Sequence, residues 1–147
     1  MKVLFISERV LTTLWVGGMW IIGYLVAPLL FSVVDERQLA GFIAGHIFSS
    51  MNYVGLVCGS LLLVGNCYKV GLKNKVNYLL IAMLVLVAIS QFVLQPMMAD
   101  LKSQGLAEGT EAAIQFGRLH GVSSVLFMLT SIAGLILILS SPRERTE

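Results

Sequence analysis

Two histidines are the residues of this chain best suited to hold a metal or a cofactor. His46 and His120 are its only histidines, and each stands near one end of a long apolar segment. Imidazole together with thioether suits copper(I), and paired imidazoles can ligate haem iron. A histidine at a helix end can equally cap the helix, hydrogen-bond or contact lipid headgroups, so a structural role is the competing interpretation. The candidate metal ligands are His46, His120, Met51, Met97 and Met98.

Further polar side chains are concentrated at the same ends of the apolar segments. An unpaired polar group in hydrocarbon is costly, so these residues should face one another or a wet cavity. Helical spacing places Gln91 and Gln95 on one face of their segment. For Arg118 the favoured role is structural, either extension to the membrane interface or pairing with Glu111. The alternative is that it binds an anion such as a lipid phosphate. The candidate ligand-binding residues of this polar pocket are His46, Asn52, Gln91, Gln95, Arg118, His120 and Ser123.

These residues are carried by segments long enough to cross a membrane. The chain has 147 residues, of which 57% are hydrophobic and 12% charged. Runs of roughly 20 apolar residues recur, which is the length a helix needs to span a bilayer. We predict an all-α fold, a four-helix transmembrane bundle forming one integral membrane domain over residues 1–147. The predicted spans are approximately residues 10–34, 45–68, 76–98 and 116–141.

The distribution of basic residues predicts the orientation of the bundle. With four spans, both termini and the middle loop share one side, which carries more lysine and arginine than the other side. The positive-inside rule therefore predicts cytoplasmic termini. With that orientation the polar residues lie in the outer halves of the spans, so the polar pocket should open to the outer side. We expect the membrane to be a bacterial-type inner membrane. The basic residues of the first side are Lys2, Arg9, Lys69, Lys73, Lys75, Arg143 and Arg145, and those of the second are Arg37, Lys102 and Arg118.

Small residues should allow the helices to approach one another closely. In lipid, helices associate through backbone approach and polar contacts, and glycines at four-residue spacing favour that approach. Packing within the chain is the favoured interpretation, and a homo-oligomer interface is the alternative. The glycines assigned to helix packing are Gly17, Gly18, Gly41, Gly45, Gly55, Gly59, Gly117 and Gly121.

Several functional classes find no support in the sequence. The net charge is only +2, and no basic stripe with interleaved aromatic residues points to nucleic acid. Motifs for phosphate loops, serine hydrolases and dithiol redox centres are absent from the sequence. No acidic residue lies deep in a predicted span, which argues against a carboxylate proton relay. We do not expect an enzyme.

Four segments of the chain resemble a known membrane family. They are residues 14–19 (LWVGGM), 26–31 (VAPLLF), 40–45 (AGFIAG) and 116–124 (FGRLHGVSS). Together they are similar to the transmembrane protein 205-like family, also called domain of unknown function 4149. The resemblance implies a four-helix integral membrane protein without an established biochemical activity.

The first of these segments is also similar to copper-resistance protein D-type membrane domains. This chain lacks the histidine expected just before that segment, because residues 8–14 read ERVLTTL. The early histidine of a haem-associated protoporphyrinogen oxidase family is absent as well. Copper and haem remain the candidate cofactors. For both, the chain lacks the histidine near its start that those two families would provide as a ligand.

Three functions follow from these observations. The leading hypothesis is binding or transport of a small ligand or soft metal at the outer pocket. The alternative is an accessory or scaffold subunit that docks an unknown protein partner through its glycine faces. The third is a haem-dependent membrane redox protein. In each case the lipid bilayer is the surrounding partner.

Overall fold

The protein is a bundle of four long helices. A computed structural model describes residues 2–107 and 109–140. Helix α1 covers residues 2–33, α2 covers Arg37–Val70, α3 covers Lys75–Ser103 and α4 covers Glu111–Ser140. Each contains a stretch long and apolar enough to cross a membrane. The predicted all-α, four-helix transmembrane bundle is confirmed, and the chain is a multi-pass membrane protein.

The helices extend past the apolar stretches that hydropathy detects. Helix α2 begins at Arg37, eight residues before the predicted second span, and α4 begins at Glu111, five residues before the fourth. A helix continues through polar residues at its ends, whereas hydropathy marks only the part that lies in hydrocarbon. Residue 141, the predicted end of the fourth span, and residues 143 and 145 lie outside the described residues.

Short connections bring consecutive helices side by side. Residues 34–36 join α1 to α2, residues 71–74 join α2 to α3, and residues 104–110 join α3 to α4. The fully buried Asn77 donates to the Gly71 carbonyl at 2.8 Å and accepts from Asn66 at 2.7 Å. Connections this short make consecutive helices antiparallel neighbours. The loop at residues 71–74 is thereby fixed to both helices that it joins.

Two prolines each follow a widened helical turn. The π-type turns Ile22–Val26 in α1 and Ser90–Leu94 in α3 end two residues before Pro28 and Pro96, respectively. Proline has no N–H, and its ring displaces the carbonyl four residues earlier, so the preceding turn widens. A third wide turn, Thr13–Gly17, lies earlier in α1. Gly23, Tyr24 and Ser90 from these turns line the cavity described below.

Close packing surrounds Trp15 of α1, which is 1% exposed. A Cβ atom placed on Gly55 of α2 would lie 2.5 Å from the indole nitrogen, and one on Gly59 would lie 2.7 Å from the ring. Glycine at these two positions lets α2 approach the indole face. The remaining buried core comprises Met19, Met51, Cys58, Leu62, Leu80, Met83, Val87 and Leu137.

The outward faces of the helices are apolar. Val57, Leu61 and Val64 of α2 are each more than half exposed, as are many large aliphatic side chains on the other helices. Apolar faces of this extent are suited to contact with lipid tails. An ion pair joins Glu8 to Lys69 at 2.8 Å, at the end of the bundle nearest the N-terminus.

Candidate functional site

A cavity of about 1040 Å³ lies between the four helices. It occupies the end of the bundle at which α1 joins α2 and α3 joins α4. Along α2 its wall runs from Arg37 to Asn52, which corresponds to a depth of about 22 Å at about 1.5 Å per residue. The cavity is partly open, and residues of both adjoining loops, Glu36 and Leu106, stand at its edge. All four helices contribute to the wall, whereas the candidate ligand-binding residues chosen from the sequence lie only on α2, α3 and α4.

The wall of the cavity is mainly apolar and aromatic. Phe127 of α4 meets Phe48 of α2 edge-on at 5.3 Å between ring centroids and Tyr24 of α1 at 5.9 Å. A Cβ atom on Gly23 would collide with the Phe127 ring, so glycine allows this aromatic group to sit against α1. Met19, Ala27, Phe31 and Leu86 complete much of the apolar surface.

Four of the predicted ligand-binding residues lie on this wall. Asn52, Gln95 and Ser123 are partly buried there, and His120 lies on the wall with an exposed side chain. His120 also stacks on Phe116 of its own helix, with ring centroids 6.0 Å apart. The structure therefore brings one amide from α2, one from α3 and two polar residues from α4 to the same cavity.

Three of the predicted ligand-binding residues lie away from the wall. His46 is exposed on α2, where its ring meets the edge of Phe42 at 4.5 Å. Arg118 is exposed on α4 and does not line the cavity. Gln91 is buried behind the wall and does not line the cavity. The structure therefore does not place these three side chains on the cavity wall.

Gln91 instead forms a hydrogen-bond network that links α3 to α2. Its Nε2 donates to Ser49 Oγ at 2.9 Å, and its Oε1 accepts from Asn52 Nδ2 at 3.1 Å. Buried amides in a spanning helix need internal partners because lipid offers none. The network fixes Asn52, which is itself on the cavity wall. Gln91 therefore acts on the cavity through the placement of Asn52.

The predicted metal ligands are only partly brought together. Met51 and Met98 are buried and line the cavity together with His120, whereas His46 and the exposed Met97 do not line it. In residues 2–107 and 109–140, no three histidine, cysteine, aspartate or glutamate side chains are grouped closely enough to hold a metal ion. The paired imidazoles expected for haem are not both on the cavity wall.

The glycines assigned to helix packing fall into two groups. One group faces other helices: Gly18 lies against Met51, Gly55 and Gly59 lie against Trp15, and Gly45 lies against Lys102. The other group faces no second helix in the part of the chain that is described. A Cβ atom on one of its members would lie within 4 Å only of Thr13, on the same helix, and Cβ atoms on the rest would meet nothing within that distance. That second group is Gly17, Gly41, Gly117 and Gly121.

Lys102 lies on the cavity wall, a position that its charge alone did not predict. The side chain is partly buried, and its Nζ donates to the Gly41 carbonyl of α2 at 3.2 Å. The same Nζ lies 5.5 Å from the ring centroid of Phe116 on α4. Helical spacing could have revealed it, because Gln95, Met98 and Lys102 recur three and four residues apart on one face.

Comparison with known proteins identifies the family. Residues 10–107, about two thirds of the chain, match the family model described as Domain of unknown function (DUF4149). The matched part includes most of α1, all of α2 and α3, and the loops between them. No curated protein and no solved structure matches the chain. The protein belongs to the DUF4149 family.

Proposed function

We propose that this membrane protein binds a small amphipathic ligand in the cavity between its four helices. The supporting observation is the cavity of about 1040 Å³ with mainly apolar walls and a few polar groups. Pockets that bind small molecules usually enclose about 300–1000 Å³ and have this kind of lining. A long apolar wall suits an acyl or other hydrocarbon chain, and the polar residues at the mouth suit a headgroup.

The lining supports binding more than catalysis. Among the described residues, the cavity wall carries a carboxylate only at its edge, on Glu36. The other polar groups include the amides of Asn52 and Gln95 and the hydroxyl of Ser123, which are poor general acids and bases near neutral pH. The imidazole of His120 is also on the wall, but its side chain is exposed and the described part of the deeper wall carries no carboxylate to pair with it. Such groups can orient a ligand by hydrogen bonding.

The lining also supports binding from one end of the bundle. Beyond the cavity, the helices pack around Trp15, Leu80 and Met83, each no more than 1% exposed. A path across the whole membrane requires these side chains to move apart. Transport would therefore require a conformational change in addition to the proposed binding.

We propose that the cavity opens to the outer side of a bacterial-type inner membrane. The excess of lysine and arginine at the end with the termini and the 71–74 loop supports cytoplasmic termini. We also propose that the name transmembrane protein 205-like applies to this family, on the four segments that resemble it. The orientation can be tested without knowing the ligand.

Cysteine labelling tests this orientation. After replacement of Cys58 and Cys67 by serine, we expect Gln104→Cys in the 104–110 loop to react with a membrane-impermeant maleimide in intact spheroplasts. Lys73→Cys in the 71–74 loop should react only after the membrane is permeabilised. The reverse pattern would show that the termini are external and that the cavity opens to the cytoplasm.

Analysis of the purified protein tests the proposed ligand. We expect organic extraction to release an amphipathic molecule in stoichiometric amount from the wild type and from a His46→Ala/His120→Ala variant. Stoichiometric copper lost from that variant would instead favour the soft-metal hypothesis, and a Soret band lost from it would favour haem. A stably bound membrane protein with no extractable ligand would favour the scaffold hypothesis.

A further inference from the structure

Lys102 is a cation held at the side of an apolar cavity within a membrane-spanning helix. Its ammonium has three N–H donors, and the structure uses one of them for the Gly41 carbonyl. The Phe116 ring beneath it adds a cation–π contact but accepts no conventional hydrogen bond. Two donors therefore remain available to a ligand that enters the cavity beside Lys102.

Within the described residues, no carboxylate forms an ion pair with Lys102. Asp100, two positions earlier on α3, is exposed and accepts a hydrogen bond from Gln104 at 3.1 Å. Glu111, at the start of α4, accepts one from Gln115 at 3.3 Å. Of the cavity edge residues, Glu36 and Arg37 carry opposite charges and are both exposed. The partly buried charge on the wall is thus the positive charge of Lys102.

The membrane setting makes this charge the selective feature of the cavity. A hydrocarbon chain that moves from lipid into an apolar cavity gains little, because lipid tails are as apolar as the cavity wall. Recognition must therefore come from the headgroup. A lysine ammonium is a compact point charge, and one such charge balances the single charge of a carboxylate.

The shape of the cavity indicates where a headgroup and a hydrocarbon chain would lie. Lys102 lies in the last turn of α3, near the loops, whereas the wall extends to Asn52 on α2 and Thr130 on α4. A carboxylate at Lys102 would leave its hydrocarbon chain beside Phe48 and Phe127. An ammonium headgroup would meet the like charge of Lys102 instead.

We infer that the cavity binds a long-chain carboxylate. The Lys102 ammonium binds the carboxylate group, and the aromatic wall around Phe127 contacts the hydrocarbon chain. This inference rests on the proposed function, since it assigns the chemical class of the ligand that the cavity holds. It gives Lys102 a role in ligand selection beyond linking α3 to α2.

Binding measured with a matched pair of probes tests the inference. The probes are radiolabelled palmitate and cetyl alcohol, which have the same chain length, and the protein is held in zwitterionic lipid nanodiscs. We expect Lys102→Gln to weaken saturable palmitate binding by about ten- to hundredfold, the usual value of a hydrogen bond to a charged group. Cetyl alcohol binding should be unchanged, and Lys102→Arg should retain palmitate binding.

The control is Lys73→Gln, which makes the same charge change in the exposed loop at the other end of the bundle. It should leave palmitate binding as in the wild type. Equal weakening of both probes by Lys102→Gln, or no weakening of either, would overturn the role of Lys102 in headgroup selection while leaving the cavity as a binding site. Binding of palmitoyl lysophosphatidate without binding of palmitate would overturn the carboxylate assignment. Failure of the wild type to bind any of the three probes would overturn the proposed function itself.

Discussion

Replacing Trp15 with alanine is expected to lower the free energy of unfolding by about 3 kcal/mol, near the lower end for tryptophan truncations in protein cores. The indole is 1% exposed and fills the space left by Gly55 and Gly59 on α2. The loss arises mainly from packing, because a tryptophan released into lipid stays in an apolar environment. Unfolding of the purified protein by sodium dodecyl sulfate in mixed micelles measures the change.

A neighbouring variant separates this packing from the general effect of a smaller side chain. Leu14 precedes Trp15 but is 55% exposed on the outer surface, so Leu14→Ala should change stability by no more than about 0.5 kcal/mol. Similar losses for the two variants would contradict the packing that the structure gives Trp15.

The glycine partner of this contact provides a double-mutant test. A Cβ atom on Gly55 would have the Trp15 indole as its close neighbour, so Gly55→Ala should cost about 1–3 kcal/mol by overpacking. In the Trp15→Ala background the methyl group has room, and most of that cost should disappear. Additive losses would show that Gly55 and Trp15 do not share one contact.

Filling the cavity is expected to abolish ligand binding without unfolding the protein. Ser123 is partly buried on the cavity wall, so a phenylalanine there would occupy space otherwise available to the ligand. We expect Ser123→Phe to remove saturable binding of both palmitate and cetyl alcohol. The measurement is equilibrium binding in nanodiscs, with helical content followed by circular dichroism.

The adjacent residue supplies the control for this variant. Val122 is 49% exposed and is not on the cavity wall. Val122→Phe adds an aromatic ring at nearly the same depth of α4 but should leave binding intact. Loss of binding in both variants would show that any added ring on α4 disturbs binding, whether or not it enters the cavity. Retention of binding in both variants would contradict the proposal that the ligand binds in the cavity.

The helices and their approximate limits could be predicted from hydropathy because lipid imposes a strict length on an apolar helix. The wide turns before Pro28 and Pro96 were harder to predict from the sequence. A proline signals a local disturbance, but the way the chain absorbs it depends on neighbouring helices. The sequence likewise cannot distinguish Gly55, which faces Trp15, from Gly117, which faces no described neighbour.

The candidate site was predicted in part for a related reason. Helical spacing places Gln91 and Gln95 on one face, yet only Gln95 lines the cavity, because Gln91 is bound by Ser49 and Asn52. The rotation of each helix about its axis decides which of two polar neighbours meets the cavity. His46 is a second example, since it stands at the depth of the cavity but outside its wall. Lys102 was overlooked because a lysine beyond the apolar core is usually solvated.

Photolabelling measures most directly whether the cavity holds a ligand. Protein in nanodiscs is labelled with a diazirine analogue of palmitate, with and without an excess of unlabelled palmitate, and the modified residues are located by mass spectrometry. Competition removes label from a saturable site and leaves label deposited by bulk lipid. We expect competable label on wall residues such as Phe48 and Phe127, and non-competable label on lipid-facing residues such as Leu61. Label that no excess of palmitate removes, or competable label confined to the outer faces, would contradict a ligand-binding cavity between the four helices.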